Sequence, residues 1–506
     1  VLVYIQDGKV NLAAPVANSK ANTITMQGGK ENVGIYTITA DDKLTTAAKI
    51  DIDNSDNSIG LFAKAAADVT NTGEINATGK SVKAIITQGS KIESSGTITV
   101  NGTALSATDG SVGLASMNGG NLIQTGATNI TVGDSASIGL YADGKYKTTA
   151  AATATTLKVT GGTVTAKDGA FNTYAANSGT ITLDGVTLNT EQKSLAFYTT
   201  DNGKIDFGTG AMNTANIKGG TDANSRGTAF LYKGAGATYT PFTPGAILAW
   251  AGANFANLNK LTLNMEQGSR LFIAQNVAMD LTGTGPGGIA GALPGVTFTG
   301  SNDYKTFMLY LSKLTLDQNI NLDDPTDAYN KLEISNSTIK NQNSKTITGT
   351  TAGQVAIAQE NDTTLDRTKV QLVNEGTISL SGANSTAMYS KFGELINDGG
   401  TITIGDNSAA LYGTNDSKIE NINGGVINLG NGSTGIYSEG DTAAGVTNAS
   451  GTFKGSVNND GIITSTGKAI GITYKGTGTG NTDVRVTNNT NGKINLAGEG
   501  SVGIYG

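Results

Sequence analysis

A repeat of about 23–25 residues constrains this chain more than any other feature of its sequence. Tyr389, Tyr412 and Tyr437 end three successive units of this length. The next two units end at Tyr474 and Tyr505 and are longer, because they carry extra loop residues. Such a period is typical of solenoid proteins, in which each repeat packs only against its two neighbours.

Each unit contains three short segments with the composition of β-strands, such as residues 395–397, 401–404 and 410–412. Apolar and polar residues alternate with a period of two, and no run of ten residues shows helical periodicity. Gly, Asn and Asp separate the segments, as tight turns require. The sequence therefore predicts an all-β fold, a right-handed parallel β-helix with coils of about 23–25 residues. A left-handed hexapeptide helix would need a coil of about 18 residues.

Stacked coils place equivalent side chains directly above one another, about 4.8 Å apart. We therefore expect inward-facing Ile, Val and Leu to form apolar ladders along the axis. An asparagine lies close before a glycine in each unit, and such side chains can stack at a turn and hydrogen-bond to one another. The predicted members of this amide ladder are Asn374, Asn397, Asn423, Asn459 and Asn491.

The repeat divides the chain into three regions. Regular coils are predicted over residues 1–232 and 331–506, and an irregular β-helix segment with protruding loops or a small insertion over 233–330. Five of the six prolines and the only tryptophan lie in this irregular segment. A second insertion is predicted at residues 145–156. The irregular segment is either a binding region or an adaptor between coils without a binding role.

The composition excludes several classes of function. The chain has no Cys and no His, which removes zinc sites built on those ligands, cysteine nucleophiles and every Ser-His-Asp triad. It carries 34 basic and 41 acidic residues, a net charge of −7, which disfavours binding to a phosphate backbone. Three GxGxxG motifs, at residues 283–288, 430–435 and 498–503, open no helical pattern, so no cofactor is expected.

Acidic residues raise two further alternatives. Paired carboxylates cleave glycosidic bonds, and the visible clusters are Asp41 with Asp42, Asp51 with Asp53, and Asp323 with Asp324. Asp51, Asp53 and Asp56 could also surround a calcium ion. However, adjacent residues on a strand point to opposite faces, and Asp is an ordinary turn residue of this repeat. We predict a non-catalytic chain without a metal site, and the alternative is a polysaccharide-cleaving β-helix enzyme.

Ligand binding is the function that the irregular segment favours. Binding residues tend to lie on loops that a rigid scaffold holds, and sugar sites combine an aromatic platform with polar groups. The candidate ligand-binding residues in this segment are Tyr239, Phe242, Trp250, Arg270, Asp303 and Tyr304. Each aromatic side chain can equally fill the interior of a coil, and for Trp250, between two alanines, burial in the core is the favoured interpretation.

Units of the form N-x-G-x-I-x-L, followed by S-x-G-I-Y, resemble the passenger repeats of type V autotransporters. Residues 421–437 (NINGGVINLGNGSTGIY) and 488–505 carry this pattern most clearly. Most of the chain follows the same repeat pattern, which is weakest over residues 233–330. In particular, the chain resembles the very large fusobacterial outer-membrane adhesins.

This resemblance implies a cell-surface passenger tethered to the bacterial outer membrane through a C-terminal barrel that is not in this sequence. The implied partners are host-cell glycans, including galactose-containing sugars, host or immune-cell receptor proteins, and the surfaces of partner bacteria. The resemblance assigns no ligand residue. Because the sequence begins within a strand and shows no signal peptide, we interpret it as a fragment of a longer adhesin. A spacer, with binding elsewhere in the parent protein, is the remaining alternative.

Overall fold

A computed structural model describes residues 2–5, 10–12, 22–38, 43–222, 225–234, 239–281, 293–440, 445–476 and 485–506. Its strands form long parallel sheets, which confirms the predicted all-β parallel β-helix. The chain divides into two compact units. The first unit comprises Val1–Tyr232, Ile247–Ile273 and Ala290–Thr306, and the second comprises Lys233–Ala246, Ala274–Ile289 and Phe307–Gly506.

In each unit the chain visits three parallel sheets in rotation, as the three-segment repeat predicts. We name them after their repeat segments. The tyrosine sheet holds the G-I-Y segments, the asparagine sheet the I-x-N segments, and the threonine sheet the T-I-x-I segments. Register partners in the tyrosine sheets include Leu61 with Ile85 and Met388 with Leu411. Each pair is separated by one repeat of the sequence, so the predicted coil length is confirmed.

The strands of the first unit have these bounds. Those of its tyrosine sheet are Val3–Ile5, Val33–Thr37, Ile59–Lys64, Lys83–Gln88, Val112–Met117, Ile138–Asp143, Phe171–Ala176, Leu195–Thr200 and Thr228–Lys233. Those of its asparagine sheet are Val10–Leu12, Lys43–Thr46, Asp68–Asn71, Lys91–Ser94, Asn121–Gln124, Thr155–Thr160, Gly179–Asp184, Lys204–Asp206 and Phe255–Ala256. Those of its threonine sheet are Thr23–Gln27, Lys49–Asp53, Ile75–Lys80, Ile98–Thr103, Thr128–Gly133, Thr163–Lys167, Thr187–Thr190, Asn213–Ile217, Leu261–Met265 and Thr297–Gly300.

The second unit repeats the same rotation. Its asparagine-sheet strands are Thr240–Pro241, Val277–Asp280, Lys313–Leu316, Thr338–Asn341, Gln371–Asn374, Glu394–Asp398, Lys418–Ile422, Ser456–Asn459 and Val486–Asn488. Its threonine-sheet strands are Ile320–Asn321, Thr346–Gly349, Thr377–Leu380, Thr401–Ile404, Val426–Leu429, Ile462–Ser465 and Lys493–Leu496. Its tyrosine-sheet strands are Val355–Glu360, Thr386–Lys391, Ala409–Thr414, Ser433–Glu439, Ala469–Lys475 and Val502–Tyr505.

A few further elements complete the described structure. Arg270–Gln275 and Lys305–Tyr310 are strands that each contain residues of both units, and Phe307–Tyr310 pairs with Leu332–Ser335 in the second unit. Val446–Asn448 and Gly451–Phe453 form an antiparallel hairpin. The 3₁₀ helices are Leu258–Lys260, Ala328–Lys331 and Arg367–Lys369.

Apolar ladders fill the interior of the coils, as predicted. In the second unit Ile378, Ile402, Ile427 and Ile463 are paired in register and completely buried. Burying one such side chain contributes about 1.5–3 kcal/mol relative to leaving it exposed. Each coil therefore gains its stability mainly from the two coils that it touches.

The glycine of the G-I-Y segment is required because the next coil approaches it closely. A Cβ atom on Gly435 would lie 2.6 Å from the carbonyl oxygen of Gly471 and 2.9 Å from Cγ2 of Ile463. No other residue fits without moving the neighbouring backbone. The same segment that marks the repeat in sequence is thus fixed by packing between coils.

An amide ladder runs through the asparagine sheet of the second unit, and its side chains are buried except that of Asn488. Each side chain donates from Nδ2 to Oδ1 of the next, at 2.7–2.8 Å, in the order Asn341, Asn374, Asn397, Asn421, Asn459 and Asn488. These hydrogen bonds pair amide groups that would be costly to bury unpaired, and only the buried Oδ1 of Asn341, at the start of the ladder, has no partner among the described residues. The predicted kind of ladder is therefore present, with partly different members.

The prediction of the ladder was wrong for Asn423 and Asn491. Asn423 follows its strand in a turn with a φ of 53°, is exposed, and its Nδ2 donates to Asp398 Oδ1. Asn491 likewise donates outside the ladder, to Asp460 Oδ2 at 3.4 Å. The inward position belongs to the asparagine that lies two or three residues earlier, within the strand or at its end, because alternation turns that side chain toward the core.

An α-helix, Pro244–Asn254, forms where no helical periodicity was expected. Thr243 Oγ1 accepts from the backbone N–H of Ala246 at 3.2 Å, and Pro244 occupies the first helical position. Both features are common helix-start signals. The sequence AILAWAGAN is apolar on every side, so it shows no amphipathic period. Among the described residues, no helix is long and apolar enough to cross a membrane.

Candidate functional site

The six predicted ligand-binding residues are divided between the two units. Tyr239 and Phe242 belong to the second unit, whereas Trp250, Arg270, Asp303 and Tyr304 belong to the first. Neither unit therefore contains all six.

In the first unit, Trp250 belongs to an aromatic cluster. Its ring packs edge-on against Phe230, Tyr232, Phe255 and Phe272, with centroid separations of 5.1–6.2 Å. Such edge-to-face pairs are favourable beyond the area that they bury. Trp250 is half-buried, and its ring packs among these aromatic neighbours.

Arg270 is buried, with 4% of its surface exposed. Burial, with a smaller contribution from the neighbouring positive charge of Arg226, lowers the pKa of Arg270 to about 10, and Asp222 opposes the shift. Asp303 is exposed and accepts from Gln267 Nε2 at 3.2 Å. The side chain of Arg270 is therefore shielded from solvent, whereas that of Asp303 is not.

Tyr304 is half-buried in the first unit and stacks on Phe298, with ring centroids 6.5 Å apart and planes within 8°. Burial raises the pKa of the Tyr304 hydroxyl. Both rings therefore support the local structure.

Phe242 is buried in the core of the second unit. It is 1% exposed, and its ring meets that of Phe307 edge-on at 5.1 Å. Its backbone N–H donates to Ala278 O at 2.7 Å, beside the pairing of Thr240–Pro241 with Val277–Asp280. Phe242 therefore anchors the segment that carries Tyr239 and does not face a ligand.

Tyr239 lines a surface groove of the second unit with a cavity volume of about 490 Å³. The ammonium group of Lys313 lies 4.7 Å from the centroid of the Tyr239 ring, a cation–π contact. Burial raises the pKa of the Tyr239 hydroxyl. The groove is lined by Tyr239, Lys313, Leu314, Thr315, Thr338, Lys340, Thr368, Lys369, Gln371 and Val373.

The floor of this groove is the outer face of the asparagine sheet. Lys313 is paired in register with Thr338, and Lys340 lies between Thr315 on one strand and Val373 on the next. Parallel strands are about 4.8 Å apart, so these side chains form adjacent rows on a rigid surface. Three neighbouring coils thus contribute to one groove.

One wall of the groove is the 3₁₀ turn Arg367–Lys369. Asp366 caps it, because its Oδ1 accepts from the N–H of Thr368 at 3.0 Å and from its hydroxyl at 2.8 Å. Lys369 O in turn accepts from the hydroxyl of Thr338 at 3.1 Å, which ties the wall to the floor.

A buried arginine holds the wall from behind. Arg367 Nη1 donates to the carbonyl oxygens of Asp416 and Lys454, and the guanidinium lies 5.2 Å from the ring centroid of Phe453. Phe453 ends the second strand of the antiparallel hairpin, and Lys454 follows it. The same arginine therefore fixes both the groove wall and the hairpin.

The groove is basic in an otherwise acidic protein. Among the described residues, its lining includes the ammonium groups of Lys313, Lys340 and Lys369 and no carboxylate. Lys340 pairs with Glu375 at 2.5 Å, just outside the lining, whereas Lys313 and Lys369 have no ion pair within the described part of the chain. With a net charge of −7 for the whole chain, this concentration of positive charge is local.

The acidic clusters have internal hydrogen-bond partners. Asp51 Oδ1 accepts from Asn76 at 2.9 Å, Asp53 Oδ1 from Asn54 at 3.0 Å, and Asp56 Oδ1 from the N–H of Lys80 at 3.1 Å. No group of three or more acidic side chains in the described ranges could hold a metal ion. The cluster at residues 41–42 and the motif at 283–288 lie outside the described residues.

Asp323 accepts more hydrogen bonds than the other carboxylates of these clusters. It accepts from the backbone and side chains of Thr350 and Thr351 and from Gln354, at 2.7–3.2 Å. These hydrogen bonds, chiefly that from the Thr351 hydroxyl, lower the pKa of Asp323 to about 2. Asp323 therefore ties one coil to the next.

A column of tyrosines on the first unit is a second surface feature. Tyr141, Tyr174 and Tyr198 are in register on the tyrosine sheet and half-buried. The rings of Tyr174 and Tyr198 are stacked, with centroids 4.7 Å apart. These rings cover one another, so the column stabilises the stack of coils and leaves less ring area for a ligand.

Sequence reasoning found Tyr239 and missed the lysines beside it. Lys313, Lys340 and Lys369 follow one another at intervals of 27 and 29 residues, a little longer than one coil. The register pairs Lys313 with Thr338 and Lys340 with Val373, so the repeat period alone does not align the lysines, and only the structure brings them to one groove. No protein-family model matches this chain, and no curated protein matches it either.

Proposed function

We propose that this chain is part of a non-catalytic cell-surface adhesin that attaches bacteria to host glycans or receptors and to partner bacteria. The observation that carries the proposal is the groove around Tyr239. It combines an aromatic ring, hydroxyl groups and ammonium groups on a rigid sheet, with a cavity of about 490 Å³. Pockets of roughly 300–1,000 Å³ with a few convergent polar groups are the usual form of small-molecule and sugar sites.

The repeat architecture supports this interpretation. A solenoid presents an extended surface while each coil needs only its neighbours for stability. The resemblance of residues 421–437 and 488–505 to autotransporter passenger repeats agrees with such a role. On this proposal the chain lies outside the cell and is tethered to the bacterial outer membrane.

A polysaccharide-cleaving enzyme is the competing function. Glycoside hydrolysis ordinarily needs two carboxyl groups about 5–9.5 Å apart across the scissile bond. Within the described part of the chain, the lining of the groove has none. The groove therefore favours binding over cleavage.

The test is adhesion of beads coated with the 506-residue chain to cultured epithelial cells and to other bacteria. We expect binding that falls after periodate treatment of the target surface, which destroys sugar rings. Absence of binding to every target would contradict the proposal and favour a spacer. Release of new reducing ends from mucin or pectin would favour the enzyme.

A further inference from the structure

We propose that the groove around Tyr239 selects anionic saccharides, that is, sugars that bear a carboxylate or a sulfate group. This inference deepens the proposed function and rests on it only for its biological meaning, because the groove can be tested with isolated sugars. It follows from three properties of the groove: its charge, its aromatic ring and its fixed walls.

The charge of the groove selects an anion. Lys313 and Lys369 are exposed and have no ion pair among the described residues, and Lys340 lies between them on the middle strand. A ligand carboxylate or sulfate can accept charge-assisted hydrogen bonds from such ammonium groups. In the described ranges, the only carboxylate paired with one of them is that of Glu375, which lies outside the lining.

The remaining lining selects a sugar over a simple inorganic anion. Thr315, Thr338 and Thr368 contribute hydroxyl groups that can exchange hydrogen bonds with a polyol. Gln371 donates its Nε2 to Glu394 at 2.6 Å, so its carbonyl oxygen remains an acceptor for a ligand hydroxyl. The half-buried ring of Tyr239 offers the C–H face of a pyranose an apolar surface.

The groove is also held in place before a ligand arrives. Asp366 caps the wall, Arg367 ties it to the carbonyl oxygens of two distant segments, and Thr338 bonds the wall to the floor. A site that is already ordered loses less conformational entropy on binding. We therefore expect sugars to bind without a rearrangement of the backbone.

Nucleic acid is a weaker candidate for the same positive charge. Duplex binding gains from many lysine and arginine contacts along a phosphate backbone, whereas this chain is acidic overall. The groove offers one aromatic ring and three ammonium groups within about three coils. Its size suits one or two sugar units.

The experiment is isothermal titration of the 506-residue chain with three probes: sialyllactose, which bears a carboxylate, a sulfated heparin disaccharide, and neutral lactose. We expect one or both acidic probes to bind, neutral lactose to bind at least about tenfold more weakly, and the affinity to fall as salt increases. The comparison of the two acidic probes identifies the preferred anion.

Single substitutions locate the binding. Lys313→Gln and Lys369→Gln each remove one exposed charge, and we expect each to weaken acidic-sugar binding roughly tenfold, as loss of a hydrogen bond to a charged group does. Lys158→Gln is the matched control, because Lys158 is an exposed strand lysine of the first unit without an ion pair among the described residues. It should leave the affinity unchanged.

Three results would overturn the inference: equal affinity for lactose, unchanged binding in both groove variants, or equally tight binding of a charge-matched oligonucleotide. If coated beads still adhere to cells while acidic sugars fail to bind, the inference fails and the adhesin proposal survives. If acidic sugars bind but no cell surface does, the adhesin proposal fails and the groove assignment survives.

Discussion

At the scale of single residues, hydrogen bonds between coils decide how well the repeat is held in register. The internal side chains of the amide ladder, Asn374, Asn397, Asn421 and Asn459, are buried, and each donates to one neighbour in the ladder and accepts from the other. The apolar ladders have no such directionality. The polar residues in the core therefore specify the register between neighbouring coils, whereas the apolar residues stabilise the stack without specifying its register.

Asn397→Ala should destabilise the coils on both sides of position 397. Asn374 Nδ2 would lose one acceptor and the buried Oδ1 of Asn421 would lose its donor, at roughly 1–3 kcal/mol for each buried group left unpaired. Hydrogen exchange of the amides of Gln371–Asn374 and Lys418–Ile422 measures the effect.

Asn423→Gly is the matched control for the ladder. Asn423 is exposed and has a φ of 53°, which glycine adopts without strain, so the change should alter stability by less than about 0.5 kcal/mol. Equal effects of Asn397→Ala and Asn423→Gly would show that the ladder is not a stabilising feature.

Asp323 gives the second unit a dependence on acid pH. Its pKa in the folded chain is about 2, below the ordinary value of 3.8, so its hydrogen bonds stabilise the fold fully above that ordinary value. This contribution declines as pH falls through the interval down to about 2. Asp323→Ala should therefore increase amide exchange of Thr350 and Thr351 at about pH 5, and the difference from the parent should vanish near pH 1.5. A difference that persists unchanged at that pH would contradict the assignment.

At the scale of elements, the strands were predictable and the irregular elements were not. The alternation of apolar and polar residues, as in residues 395–397, 401–404 and 410–412, was sufficient to predict the strands of the three sheets, because this pattern is local to each strand. The helix Pro244–Asn254 has no apolar stripe, so only its Thr-Pro start could have revealed it. Phe242 and Tyr239 look alike in sequence, but pairing of Thr240–Pro241 sends one inward and leaves the other on the groove.

The groove wall should depend on Arg367, although this arginine does not line the groove. Arg367→Met removes two hydrogen bonds from a charged donor, on the order of 3 kcal/mol at about 1.5 kcal/mol each, while keeping an unbranched buried chain. We expect faster proteolysis at the hairpin of residues 446–453 and weaker binding of acidic sugars. Arg367→Lys should restore part of both properties, because one charged donor remains.

A matched control separates this anchoring from a general loss of stability. Ile402→Val removes one methyl group from an apolar ladder of the same unit and should cost about 0.5–1.5 kcal/mol. It should leave sugar binding intact, since Ile402 lies away from the groove lining. Equal losses of sugar binding in Arg367→Met and Ile402→Val would argue against a specific role of the wall.

At the scale of the whole molecule, the repeat makes stability a sum over neighbouring coils. Strands one coil apart pair in register, and the same Ile, Asn and Tyr positions recur in each. Function does not follow from this sum, because a groove needs residues that depart from the repeat. Lys313, Lys340 and Lys369 are such departures, and they meet because neighbouring coils stack.

Removal of one complete coil should leave the second unit folded. Thr386 and Ala409 are register partners, so deleting residues 386–408 joins Ser385 to Ala409 and takes out one strand of each sheet. Asn374 would then pair with Asn421, and Ile378 with Ile427. The amide ladder and the apolar ladder would both stay continuous, each with one residue fewer. Far-ultraviolet circular dichroism per residue should stay unchanged.

A deletion of residues 386–397 instead removes about half a coil, joins Ser385 to Asp398, and displaces polar and apolar positions relative to the neighbouring strands. The half-coil variant should lose cooperative unfolding while the full-coil variant keeps it, since the unit of folding in a solenoid is the complete turn. Equal tolerance of both deletions would mean that register between coils does not hold this fold together.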